Sequence, residues 1–182
     1  MAVSSTQWTA PRLLIASWGV FGVLGVLSQA LFRLTPLALE PVQKGMLEPY
    51  QWVIYVVWAV LNLYTEGYKG FQRGFNPRVV ARAVHLAHHP KPLHVILAPA
   101  FCMSLFYATR KRLIVSWSLV IGITLVVVLV RQLDQPWRGI VDIGVVTGLG
   151  YGAAHLVVVF FKTLVAGETP TTDSLPARAS TG

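Results

Sequence analysis

LIVSWSLVIGITLVVVLV, residues 113–130, runs for eighteen positions without a charge or a proline. As a helix it measures about 27 Å, close to the ~30 Å hydrocarbon core of a bilayer. The stretch therefore decides the fold class: an all-α, polytopic membrane protein. Working outward, three more apolar runs approach the same length, at 13–32, 50–65 and 139–161. Hydrophobic residues make up 54% of the 182 and charged ones 12%, a membrane composition. One integral membrane domain is expected over 1–165, and a disordered tail, AGETPTTDSLPARASTG, over 166–182. Arg12 ahead of the first run, with SQA at 28–30, looks like a secretion signal. The run is longer than a signal core of ~7–15 residues, so it is read as a retained span.

A fifth run, 93–109, contains Pro99 and leaves two topologies open. If it spans and the N-terminus is cytoplasmic, eight Lys and Arg lie inside and seven outside, which is no bias. If it does not span, eleven lie inside and four outside, as the retention of positive loops in the cytoplasm requires. FYATRKRLIV, 106–115, also lacks the Gly, Pro, Asn or Asp that turns a chain between antiparallel helices. The favoured reading is four transmembrane helices with both termini cytoplasmic and 93–109 re-entrant or lying along the interface; five spans is the alternative. A bacterial inner (plasma) membrane is the expected location. The net charge of +8 follows from this loop bias, so no nucleic-acid partner is expected. The outer loops, 33–49 and 131–137, are short, and the largest inner loop is 66–92.

That inner loop holds RAVHLAHHPKPLH, 82–94, with four of the five histidines. Asn76-Pro77 is a helix start and Pro90 a stop, which predicts an amphipathic helix over 77–89. Arg78, Arg82, His85, His88 and His89 fall within about 120° of one another, opposite Val79, Val80, Ala83, Val84, Leu86 and Ala87. The simplest role for such a helix is interfacial, with Arg78, Arg82 and Lys91 toward anionic headgroups or a partner. The other is a metal site, since imidazoles at i, i+3 and i+4 can hold one ion at an open site. His85-x-x-His88-His89 resembles one histidine box of the membrane desaturase and hydroxylase family, whose diiron centre is built from several such boxes. The resemblance covers five residues, and only His94 and His155 remain to supply further ligands.

Polar groups at membrane depth are costly and so point to function or packing. In the last run Gly144, Gly148 and Gly152 form a tandem GxxxG, a surface for close helix approach by a second copy or another membrane protein. Tyr151, His155 and Lys162 share that stripe, and Asp142 is placed to pair with Arg138 at i, i+4. Asn62 and Glu66, one turn apart near the cytoplasmic end of the second run, reach the depth of His155 only in the four-span topology. No cofactor is predicted; a haem would be held by His155 and His94 only if their helices face each other. The one cysteine, Cys102, permits no intramolecular disulfide. Phosphate-loop, dinucleotide, HExxH and GxSxG signatures are missing, and no catalytic residue is assigned. The expected function is a non-catalytic structural, assembly or interaction component. A small transport or proton-conducting component and a haem- or metal-binding redox protein are the alternatives.

Overall fold

The structure is a computed structural model and describes residues 8–167 and 170. Of the tail expected over 166–182, all but Ala166, Gly167 and Pro170 lies outside the described residues. Among the described residues there are helices and turns and no strand. The helices are α1 (Ala10–Gln43), α2 (Pro49–Asn62), a π-helix (Leu63–Phe75), α3 (Asn76–His88), α4 (Pro92–Ile96), α5 (Ala98–Cys102), α6 (Arg110–Val130) and α7 (Trp137–Ala166). Three of them, α1, α6 and α7, are long and apolar enough to cross a membrane. α6 makes the membrane argument most directly. Ser116 apart, its apolar stretch is not buried, and Ile114, Trp117, Leu119, Ile121, Ile123, Leu125 and Leu129 are all exposed. Its contacts with the rest of the chain are few, Ser116 Oγ to the Met103 carbonyl and Trp117 Nε1 to the Leu105 carbonyl, and an apolar surface left this bare is the kind that suits a membrane.

Several boundaries differ from the sequence expectation. α1 continues past residue 32 to Gln43, through Pro36 and Pro41, so most of the expected outer loop is helix. A proline at 41 strips the Leu37 carbonyl of its helical donor. The Gln135 side-chain amide supplies one instead, at 3.1 Å. The expected second span is divided, because α2 has 14 residues and the chain then changes to i→i+5 pairing without leaving the helix. The expected inner loop 66–92 is helical as far as His88. Asn76-Pro77 does begin α3, with the proline in its first turn, but the helix starts out of the π-helix and not out of a loop. The next i→i+5 bond, to the Gln72 carbonyl, needs an N–H at position 77, and proline has none. The run 93–109 contains only the five-residue helices α4 and α5, each far short of the length of a crossing.

The chain divides into two compact units. Among the described residues the first comprises 8–23, 75–120, 156–167 and 170, and the second 24–74 and 121–155. In the first, α3 is a core element, not a surface one: Val79, Val80, Ala81, Ala83, Val84, Leu86 and Ala87 are all buried. α1 packs there with almost no gap, because a Cβ on Gly19 would meet the Cys102 sulfur at 2.9 Å and one on Gly22 would meet the Pro99 ring at 2.2 Å. Trp18 Nε1 donates to the Val95 carbonyl at 3.1 Å, and Phe21 meets Phe160 edge to face. In the second unit a small core joins Ala38, Tyr55, Ile140 and Ile143, and the Tyr55 hydroxyl donates to the Ala38 carbonyl at 3.0 Å.

Candidate functional site

The tandem glycines of α7 lie in the second unit, and their partner is the chain's own α2 and π-helix. A Cβ on Gly144 would meet Trp58 Nε1 at 2.5 Å and Asn62 Nδ2 at 2.7 Å. One on Gly148 would meet Glu66 Cβ at 2.9 Å, and one on Gly152 the Phe71 ring at 2.3 Å. Both segments advance together, 58 and 62 beside 144, 66 beside 148, 71 beside 152, so they run parallel. The spacing of the contacts on the π-helix side explains its winding. Asn62, Glu66 with Gly67, and Phe71 with Gln72 recur at more than four residues, the period of i→i+5 pairing, so one stripe faces α7 throughout. An α-helix would rotate that stripe away. The GxxxG surface expected to receive a second copy or another protein is therefore filled intramolecularly.

Polar bonds fasten the seam. Trp58 Nε1 donates to the Val141 carbonyl at 3.3 Å, the Thr147 hydroxyl lies 3.1 Å from the Ala59 carbonyl, and the Tyr151 hydroxyl donates to Gln72 Oε1. Of the expected cluster, Asn62 and Glu66 stand one turn apart along the seam, and Asn62 Nδ2 donates to the Trp58 carbonyl at 2.9 Å. His155 stacks on Tyr151, two turns past Gly148 and so about 10 Å further along α7 than Glu66. Glu66 itself is exposed, beside the middle of α7 instead of near a span's cytoplasmic end. The sequence reading also missed an exposed ladder on the π-helix: Tyr64 stacks on Tyr68 at 5.8 Å, with Lys69 over the Tyr64 ring and Arg73 over the Tyr68 ring. The recurrence of aromatic and basic residues four to five apart, 64, 68, 69 and 73, was its signal.

The second polar feature lies in the first unit. Arg82, expected on a headgroup-facing surface, has no exposed area. Its Nε donates to the Phe101 carbonyl at 2.6 Å, and one terminal nitrogen reaches the carbonyls of Phe106 and Tyr107 at 3.1 and 3.0 Å. The guanidinium also lies 4.2 Å above the Phe101 ring. Burial lowers Arg82 to about 10, which still leaves it charged at neutral pH. It clamps the turn after α5, where Ser104 and Tyr107 take φ of 61° and 48°, conformations that non-glycine residues hold only when their surroundings over-determine them. His94 joins the same cluster, 4.8 Å from the Tyr107 ring and 5.2 Å from the Phe101 ring. Of the other expected surface cations, Lys91 is exposed with its amine over Tyr107, and Arg78 is half-buried.

The expected metal ligands are used differently. The His85 and His89 rings stack at 4.9 Å, and His88 Nδ1 lies 2.8 Å from the Val84 carbonyl, one turn back on its own helix. Among the described residues no group of three or more His, Cys, Asp or Glu side chains is placed to hold a metal. The haem ligands read from the sequence have ring partners of their own, Phe101, Phe106 and Tyr107 for His94 and Tyr151 for His155. Arg138 Nε and Asp142 Oδ2 face each other at 3.8 Å, an ion pair too long for a hydrogen bond. Compared with known proteins, the chain matches no protein-family model, no curated sequence and no solved structure.

Proposed function

We propose that this chain is a small integral inner-membrane protein with a structural, assembly or interaction role and no catalytic one. In this reading it crosses four times, through α1, α2 with the π-helix, α6 and α7, with both termini in the cytoplasm. The observation that carries the topology is the parallel seam. Four crossings send the second and the fourth the same way, and a span inserted over 93–109 would have reversed α7 against α2. The charge distribution supports the same orientation. The first unit contains both the start of α1 and the end of α7, and its described residues carry Arg12, Arg78, Arg82, Lys91, Arg110, Lys111, Arg112 and Lys162 with no carboxylate. Anionic headgroups on that side are the natural counter-charge.

The non-catalytic role rests on how the polar side chains are used. Arg82, Tyr151, Thr147 and Gln135 are each bonded to a backbone carbonyl or another side chain, where they hold the fold. A pair of reporters tests the topology. Fused at the C-terminus, one active only outside the cytoplasm stays silent; inserted at residue 133, it is active. The reverse pattern, or activity at both positions, overturns the reading. A proton-conducting role is the second reading, favoured by the exposed Glu66 carboxylate beside the middle of α7. If the proton leak of reconstituted vesicles fell on Glu66→Gln, the assignment would pass to that reading.

A further inference from the structure

The π-helix presents charge at the wrong depth for a lone chain. Phe71 lies against Gly152, and Gly152 is midway between Asp142 and Lys162, the charged residues that bracket the apolar stretch of α7. Glu66, against Gly148, is about 6 Å from that midpoint. Lys69 and Arg73 flank the same level, and all three side chains are exposed. Within the chain Lys69 and Arg73 rest on tyrosine rings, and no ion pair among the described residues involves Glu66. Facing lipid tails, each ion would be costly. Intramembrane charges are accordingly found facing protein or water.

We infer that this face is the contact between two copies of the chain, with Glu66 of each paired to Lys69 and Arg73 of the other. The inference rests on the four-crossing reading above and names its partner. The charge pattern argues for a second copy. One face carries both signs within a few residues, so a two-fold axis along the membrane normal sets Glu66 of each copy across from Lys69 of the other at nearly equal depth, with Arg73 about one turn further along. Gly70, between Glu66 and Arg73, keeps the centre of the face low; a Cβ there would meet only atoms of its own helix, Glu66 Oε2 and the Thr65 carbonyl, each at 3.5 Å. A second backbone can approach at that point.

The experiment is crosslinking in native membranes, in full-length chains carrying Cys102→Ala so that one introduced thiol reports. Gly70→Cys is expected to give a covalent dimer with a short bifunctional maleimide, and Ile123→Cys, on the bare face of α6, is expected to give none. Glu66→Lys should reduce the Gly70→Cys dimer at least tenfold, and Glu66→Lys with Lys69→Glu should restore it. Equal yields at 70 and 123, a dimer indifferent to Glu66→Lys, or a Gly70→Cys thiol that is labelled as a monomer by a membrane-impermeant maleimide would each overturn the inference. The last outcome would make the face a water-filled one. The topology reporters separate the two failures: if they behave as expected while crosslinking fails, only the dimer is lost.

Discussion

Arg82 was legible in the sequence as a cation on a helix; its destination was not. Helical projection ranks faces by side-chain type, and it cannot see that a turn some twenty residues later offers carbonyls without donors. Because those carbonyls are buried with it, Arg82→Met is expected to destabilise the protein by roughly 3–5 kcal/mol. Arg82→Lys keeps the charge and loses the planar fork, so it should cost about half as much. Unfolding in mixed micelles titrated with a denaturing detergent measures both. His94, in the same cluster, gives a pH prediction. Burial, with Lys91 and Arg82 close by, lowers it below its ordinary 6.5. Above 6.5 the folded and unfolded chains are both neutral at this site. As pH falls through 6.5 the unfolded chain binds a proton that the folded one resists, so stability falls with acid until the lowered value is passed. His94→Phe, which suits a site already lined by Phe101, Phe106 and Tyr107, should flatten that part of the profile.

At the scale of elements, the glycines supply paired tests. Gly152→Ala sets a methyl against Phe71 ring carbons and should destabilise by about 1–3 kcal/mol. Gly122→Ala, on α6, has nothing within 4 Å and should be neutral or favourable by up to ~1 kcal/mol. The same micelle titration compares them; equal effects would mean that the seam is not closed in solution. The packing face of α7 was legible, since small residues four apart signal close approach. Its partner was not, because a stripe recurring at more than four residues matches neither the helix nor the strand template, and LYTEGYKGFQRGF, 63–75, read as the end of a span running into a loop. α4 and α5 show the same limit: apolar content marked 93–109 as re-entrant or interfacial, while the fold buries Ala98, Phe101 and Cys102 and leaves Leu93, Ile96 and Leu97 exposed. Cys102 in α5 is buried with no other cysteine in the chain, so the folded protein should resist a thiol reagent and react once only when α5 leaves α1. The rate of that labelling reports local opening of the first unit.

For the whole molecule, the class of fold was readable from one apolar run, and the number of elements that cross was not, because α1 runs well past its apolar core and α2 falls short of a span on its own. Length and polarity measure what a segment can do alone; the seam depends on residues far away in the chain. That separation has a consequence for how the protein is made. Glu66 leaves the ribosome eighty-two residues before Gly148, the position that will receive it. At ordinary translation rates the wait is roughly 4–16 s. During that interval the π-helix has its charged face and its half of the seam uncovered, and i→i+5 winding has no partner stripe to favour it. Until α7 arrives, residues 62–72 lack the glycine stripe that closes the seam, and synthesis of this small protein is open to failure at a point well before α7 is complete.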